Sequence, residues 1–78
     1  MWLIRLVARL PLDMDPEVRA DLLQRTADLL AGWPGEVWRI PGGWTVVARV
    51  ESADPHALVA GLPLGPWLDV TVEPLVRL

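Results

Sequence analysis

Two features of the 78-residue chain predict a small α+β domain of order β-α-β-β-α-β. Apolar and polar residues alternate in four short stretches, and an aspartate–proline pair opens each of two segments that could be helical. A third observation sets the boundaries: glycine and proline cluster between these segments rather than inside them. Residues 1–78 make a single domain, short for a self-sufficient core, although 53% of the residues are hydrophobic.

The first strand is written by Trp2, Ile4, Leu6, Ala8 and Leu10 alternating with Leu3, Arg5, Val7 and Arg9, and Pro11 ends it. Asp15-Pro16-Glu17 starts a helix. The aspartate caps free amides, the proline suits the first helical position, and the glutamate meets the positive end of the dipole. Val18, Leu22, Leu23, Leu29 and Leu30 form its apolar side, and Asp21 can pair with Arg25 across one turn. Gly32 and Pro34 stop it.

Glu36 to Ile40 and Trp44 to Val50 form a hairpin around Pro41-Gly42-Gly43. Asp54-Pro55 opens a short second helix that Gly61 ends near Ala60. Ser52, the only serine, reads as a turn or cap residue in this connection rather than a nucleophile. A last strand from about Leu68 to Val76 contains Pro74, whose missing donor requires an edge position.

This order predicts the ferredoxin-like split βαβ arrangement, a four-stranded antiparallel sheet with two helices on one face. The opposite face is then left with Leu3, Val7 and Val47 among Arg5, Arg49, Asp69, Thr71 and Glu73. A second copy laid sheet to sheet would cover it, at roughly 25 cal/mol per Å² of apolar surface removed from water. A homodimer or higher homo-oligomer is therefore expected.

The inventory excludes several chemistries. A net charge of −3, with seven scattered arginines and no lysine, argues against a nucleic-acid partner. No cysteine provides a thiolate and no lysine a Schiff base. One histidine without a paired-ligand spacing argues against a metal, and no phosphate-cradling glycine motif points to a cofactor, so neither is expected. No run approaches the ~18 to 20 apolar residues of a membrane span. A cytoplasmic, membrane-free protein acting on a small molecule fits this composition. What remains is carboxylate, imidazole, arginine and tryptophan, a set suited to moving a proton and holding an anion.

Three stretches carry a family resemblance. Gly61-Leu62-Pro63-Leu64-Gly65-Pro66-Trp67, running into Leu68-Asp69-Val70-Thr71-Val72-Glu73-Pro74-Leu75, resembles the "LPLFPY-M-D-I-E-V-T-x-L" ending of the muconolactone isomerase family. Val37-Trp38-Arg39-Ile40-Pro41-Gly42 resembles its "LWRVVG" strand and turn, and Ile4 to Pro11 its first strand. The resemblance implies a dimeric α+β barrel and a cofactor-free isomerase of aromatic-compound catabolism, which shifts a double bond in an unsaturated lactone bearing a carboxymethyl arm. A non-catalytic ligand-binding or assembly subunit, or a small cyclase or cofactor-free oxygenase, are other uses of the same fold. The first helix with its following loop is shorter than the family pattern, and Val76-Arg77-Leu78 stands where the family continues with a basic, histidine-containing tail.

Such a shift needs a base beside a carbonyl, an acid to return the proton, and a cation for the carboxylate. Arg39 and Arg5, both within matched stretches, are the expected clamps, because a guanidinium fork matches a carboxylate. Either could instead pair with a neighbouring carboxylate. Trp38 and Trp67 are the expected apolar contacts to substrate, against the alternative of core or interface bulk. His56, in a helix-start pattern like the family's "ELHxLL", is a candidate proton shuttle or an ordinary surface residue. Asp69 and Glu73 share a face of the last strand, either as a base near Arg5 or as solubilising charges.

Overall fold

The computed structural model describes residues 1–78. Its elements follow the expected order: β1 (Trp2–Ala8), α1 (Pro16–Leu30), β2 (Gly35–Ile40), β3 (Thr45–Val50), α2 (Pro55–Ala60) and β4 (Leu68–Pro74). A single 3₁₀ turn, Gly65–Trp67, folds the proline loop just before β4. All strand pairs are antiparallel, in the order β2-β3-β1-β4.

Both helix starts are capped as the sequence predicts. The Asp15 carboxylate accepts from the amides of Glu17 and Val18, at 2.8 and 3.4 Å. The Asp54 carboxylate accepts from Ala57 at 3.2 Å, and the Ser52 hydroxyl accepts from the Asp54 amide, fixing the turn ahead of α2. Arg25 and Asp21 pair at 3.4 Å on the exposed side of α1. β4 is an edge strand, so the missing donor of Pro74 leaves no rung of the sheet unpaired. β1 ends at Ala8 and β4 at Pro74, each two residues short of the alternating pattern. Past those points the chain turns away, through the Pro11 bend in one case and the exposed tail in the other.

Gly35 opens β2 with a φ of +151°, and a Cβ there would lie 2.0 Å from the Arg49 carbonyl oxygen. Only glycine lets the chain leave Pro34 and join β3 so closely.

Strand register decides which side chains share a face. Ile4 lies opposite Ala48 and Val72, and Leu6 opposite Val46 and Val70, which puts these residues under the helices. The core is Ile4, Leu6, Val46, Ala48 and Val50 from the sheet, closed by Leu30, Trp33 and Leu62. Thr26 is fully buried in α1, and its hydroxyl accepts from the Leu64 amide at 3.3 Å. This bond ties the first helix to the proline loop, where Leu64 is also fully buried.

The other face carries Leu3, Arg5 and Val7 from β1, Thr45, Val47 and Arg49 from β3, and Asp69, Thr71 and Glu73 from β4. β2 adds Glu36, Trp38 and Ile40. No element covers these residues, and Trp38 and Ile40 are 50% and 40% exposed. The accessible surface is 5315 Å², against about 4,700 Å² expected for a folded monomer of this mass. The uncovered sheet face and the exposed residues Leu12, Val76 and Leu78 both contribute to it.

Candidate functional site

α1 carries the chain from β1 across to β2, and the helix does not close fully on that edge of the sheet. Between its C-terminal half and the β2–β3 hairpin lies a cleft of about 290 Å³. That is near the lower end of ligand pockets, about 300 to 1,000 Å³. Ala27, Leu30 and Ala31 line the helix side; Val37, Trp38, Arg39, Trp44 and Val46 line the hairpin side.

Arg39 is the one charged group in this apolar lining. It lies opposite Val46, so it projects from the helix-covered side of β2, at the sheet edge, where it stays exposed. Its guanidinium donates only a long bond, 3.5 Å, to the Gly43 carbonyl. The ion pairs of the molecule are Arg9–Asp69, Arg25–Asp21 and Arg49–Glu36, which leaves Arg39 without a carboxylate. A free guanidinium at the rim of an apolar cleft can hold an anion whose body is buried beside it.

Trp44 stands at the end of the hairpin turn, half-buried, and its carbonyl accepts from the Ala8 amide at 3.0 Å. That bond fixes the tryptophan backbone against the end of β1. Trp38 lines the same cleft at the strand edge, while its register opposite Val47 turns its side chain toward the open sheet face.

The structure places Arg39 and Trp38 along one cleft, with their side chains on opposite sides of β2, and separates the other expected site residues from them. Arg5 lies opposite Val47 and Thr71, on the open face. The two expected clamps thus project from opposite sides of one sheet. Asp69 and Glu73 share the open face with Arg5, but Asp69 pairs with Arg9 at the end of β1 rather than with Arg5. His56 is exposed in the first turn of α2 and makes no side-chain hydrogen bond. Trp67 is half-buried in the 3₁₀ turn, where its carbonyl accepts from the Arg9 amide at 2.8 Å. A second concavity, of about 400 Å³, lies at the far end of the sheet among Met1, Arg49, Glu51, Leu75, Val76 and Arg77. It contains none of the expected site residues.

Sequence reasoning missed Trp44 and the alanines of α1. Trp44 reads as the first residue of a strand, and Ala27 and Ala31 as neutral helix formers. Their spacing of four was the available signal, since it places both on one side of α1.

Comparison with known proteins agrees with this architecture. Residues 1–78 match the family model for muconolactone delta-isomerase. The muconolactone delta-isomerase of Rhodococcus opacus is 33% identical over 87 aligned positions, covering 95% of this chain and 88% of that protein. An alignment longer than the chain's own 78 residues means that the relative carries residues opposite gaps here. A crystal structure of muconolactone isomerase superposes with a TM-score of 0.78 at 28% identity, covering 97% of this chain and 88% of that one. With the motif matches, the split βαβ topology and the full-length family match in agreement, this chain belongs to the muconolactone delta-isomerase family.

Proposed function

We propose that the protein is a cofactor-free isomerase that moves a double bond by proton transfer in a small unsaturated lactone or carboxylate. Family membership supports the reaction class, and the observation that carries the reading is Arg39, unpaired at the rim of an apolar cleft. In this reading the substrate carboxylate sits on the Arg39 guanidinium, and its ring lies against the apolar walls with Trp38 at the edge. A base removes a proton from the carbon next to the carbonyl. The electron pair delocalises into the conjugated system, and the proton returns to the far carbon of the shifted double bond.

No carboxylate or imidazole lines the cleft within one protomer. The proton-moving group is drawn from His56, Asp69 and Glu73, with Glu73 and His56 free of salt bridges. A homodimer joined through the open sheet face would set a second copy of Arg5, Asp69 and Glu73 against the first, on the side of the sheet opposite Arg39. The protein would then work in the cytoplasm on products of aromatic-compound breakdown.

The same observation favours a second reading, a non-catalytic ligand-binding subunit, because an arginine and apolar walls bind without reacting. Incubation with a muconolactone in deuterated water separates the two. An isomerase incorporates deuterium at the ring or side-chain carbon, and Arg39→Ala slows that incorporation. Absence of exchange, together with saturable quenching of tryptophan fluorescence by the same compound, would leave the binding reading.

A further inference from the structure

The cleft exists because two of the three residues that line its helix side, Ala27 in α1 and Ala31 at the C-cap of that helix, are alanines. Ala27 and Ala31 are one turn apart and both exposed, so no packed side chain occupies the space between α1 and the hairpin. Leu30, between them in sequence, points into the core and is 4% exposed. The facing wall is fixed: Val46 is a buried core residue, and the Trp44 backbone is bonded to Ala8. A longer side chain at 27 or 31 would therefore enter the cleft, since the hairpin wall cannot move away without breaking sheet pairing.

We propose that Ala27 and Ala31 are specificity-determining residues, which set the upper size limit of the flat carboxylate the cleft admits between α1 and Trp44. The inference rests on the cleft being the ligand site. It adds which residues choose among ligands once Arg39 has selected for negative charge. Leucine at either position narrows the slot while leaving the core residues and Arg39 themselves unsubstituted, and leucine is a good helix former.

The test uses the full chain and three probes: benzoate, 2-naphthoate and the uncharged benzamide, titrated by tryptophan fluorescence and calorimetry. Wild type is expected to bind both carboxylates and to bind benzamide more weakly. Ala27→Leu and Ala31→Leu should lose affinity for 2-naphthoate about tenfold more than for benzoate, the lower end of what one misfitted methylene does in an apolar pocket. Ala20→Leu, on exposed α1 surface outside the cleft, should match wild type for both. If the two leucine variants bind both carboxylates as wild type does, or weaken both equally, the size-limit inference is overturned.

Arg39→Ala distinguishes that failure from failure of the underlying reading. Unchanged benzoate binding in Arg39→Ala, with the leucine variants still rejecting 2-naphthoate, would remove the anion clamp and leave the size limit standing. Loss of benzoate in Arg39→Ala, with no discrimination by the leucine variants, would do the reverse. A wild type that binds neither carboxylate overturns both.

Discussion

The two faces of the sheet are made by the same strands and end in opposite conditions. Beneath the helices, Ile4, Leu6, Ala48 and Val50 are fully buried. One residue along, Leu3, Arg5, Val7, Val47 and Arg49 meet no covering element. Alternation assigns each residue its side, but only the helices decide which side becomes a core. The candidate site residues are divided the same way. The helix-covered side holds the cleft with Arg39, and the open side holds Arg5 with Asp69 and Glu73. In the proposed reading the first face recognises a ligand and the second is left to associate.

Truncation beneath the helices tests this contrast most severely. Ile4→Ala should destabilise the fold by about 2 to 5 kcal/mol, the range for a large-to-small change in a packed core. Val7→Ala, on the open face, should shift urea unfolding of a dilute sample by much less, and its effect should grow with protein concentration if copies associate there. Equal losses at the two positions would erase the distinction between the faces.

The two arginines sharpen it next. Arg39→Ala should weaken carboxylate binding by ten- to a hundredfold, as removal of a charge-assisted hydrogen bond of about 1.5 to 3 kcal/mol implies. Its thermal stability should stay near wild type, because Arg39 is exposed and unpaired. Arg5→Ala should leave binding by a dilute monomer unchanged and act on sedimentation behaviour instead. A reversal of these effects would move the site to the open face.

Thr26→Val probes how the covered side is held shut. It leaves the Leu64 amide without its acceptor, at a cost of about 1 to 3 kcal/mol for a buried unsatisfied group. Hydrogen exchange should speed up at the Leu64 amide before it does so in β1. The smallest effect belongs to Asp69→Asn, which breaks an exposed pair with Arg9 and should change the unfolding free energy by no more than ~1 kcal/mol. A larger loss would mean that Asp69 does more than decorate the edge strand.

Much of the architecture was legible because local chemistry repeats it. Asp15-Pro16 and Asp54-Pro55 announce both helices, and Pro74 announces an edge. Every open-face residue read from the sequence in β1, β3 and β4 lies on that face in the register, which adds Thr45. The site was less legible, because it depends on the parity of one strand. The four residues from Pro41 to Trp44 separate Ile40 from its partner Thr45, and that spacing sends Arg39 to the side opposite Arg5. Nothing local to Arg39 reveals it. Thr26 was hidden for another reason. It lies four residues from both Leu22 and Leu30, in the apolar row of α1, but its partner is 38 positions away in a loop.

The prolines that punctuate the chain also guard its margins. Pro34 and Pro41 stand immediately outside the two ends of β2, while Pro66 lies two residues before β4 and Pro74 is its last residue. A free sheet margin is a template on which another chain can grow a further strand, and the ladder lengthens until it meets a residue that lacks an amide hydrogen. Here each template spans only a few rungs before it is interrupted, so runaway fibre growth along the margins is discouraged.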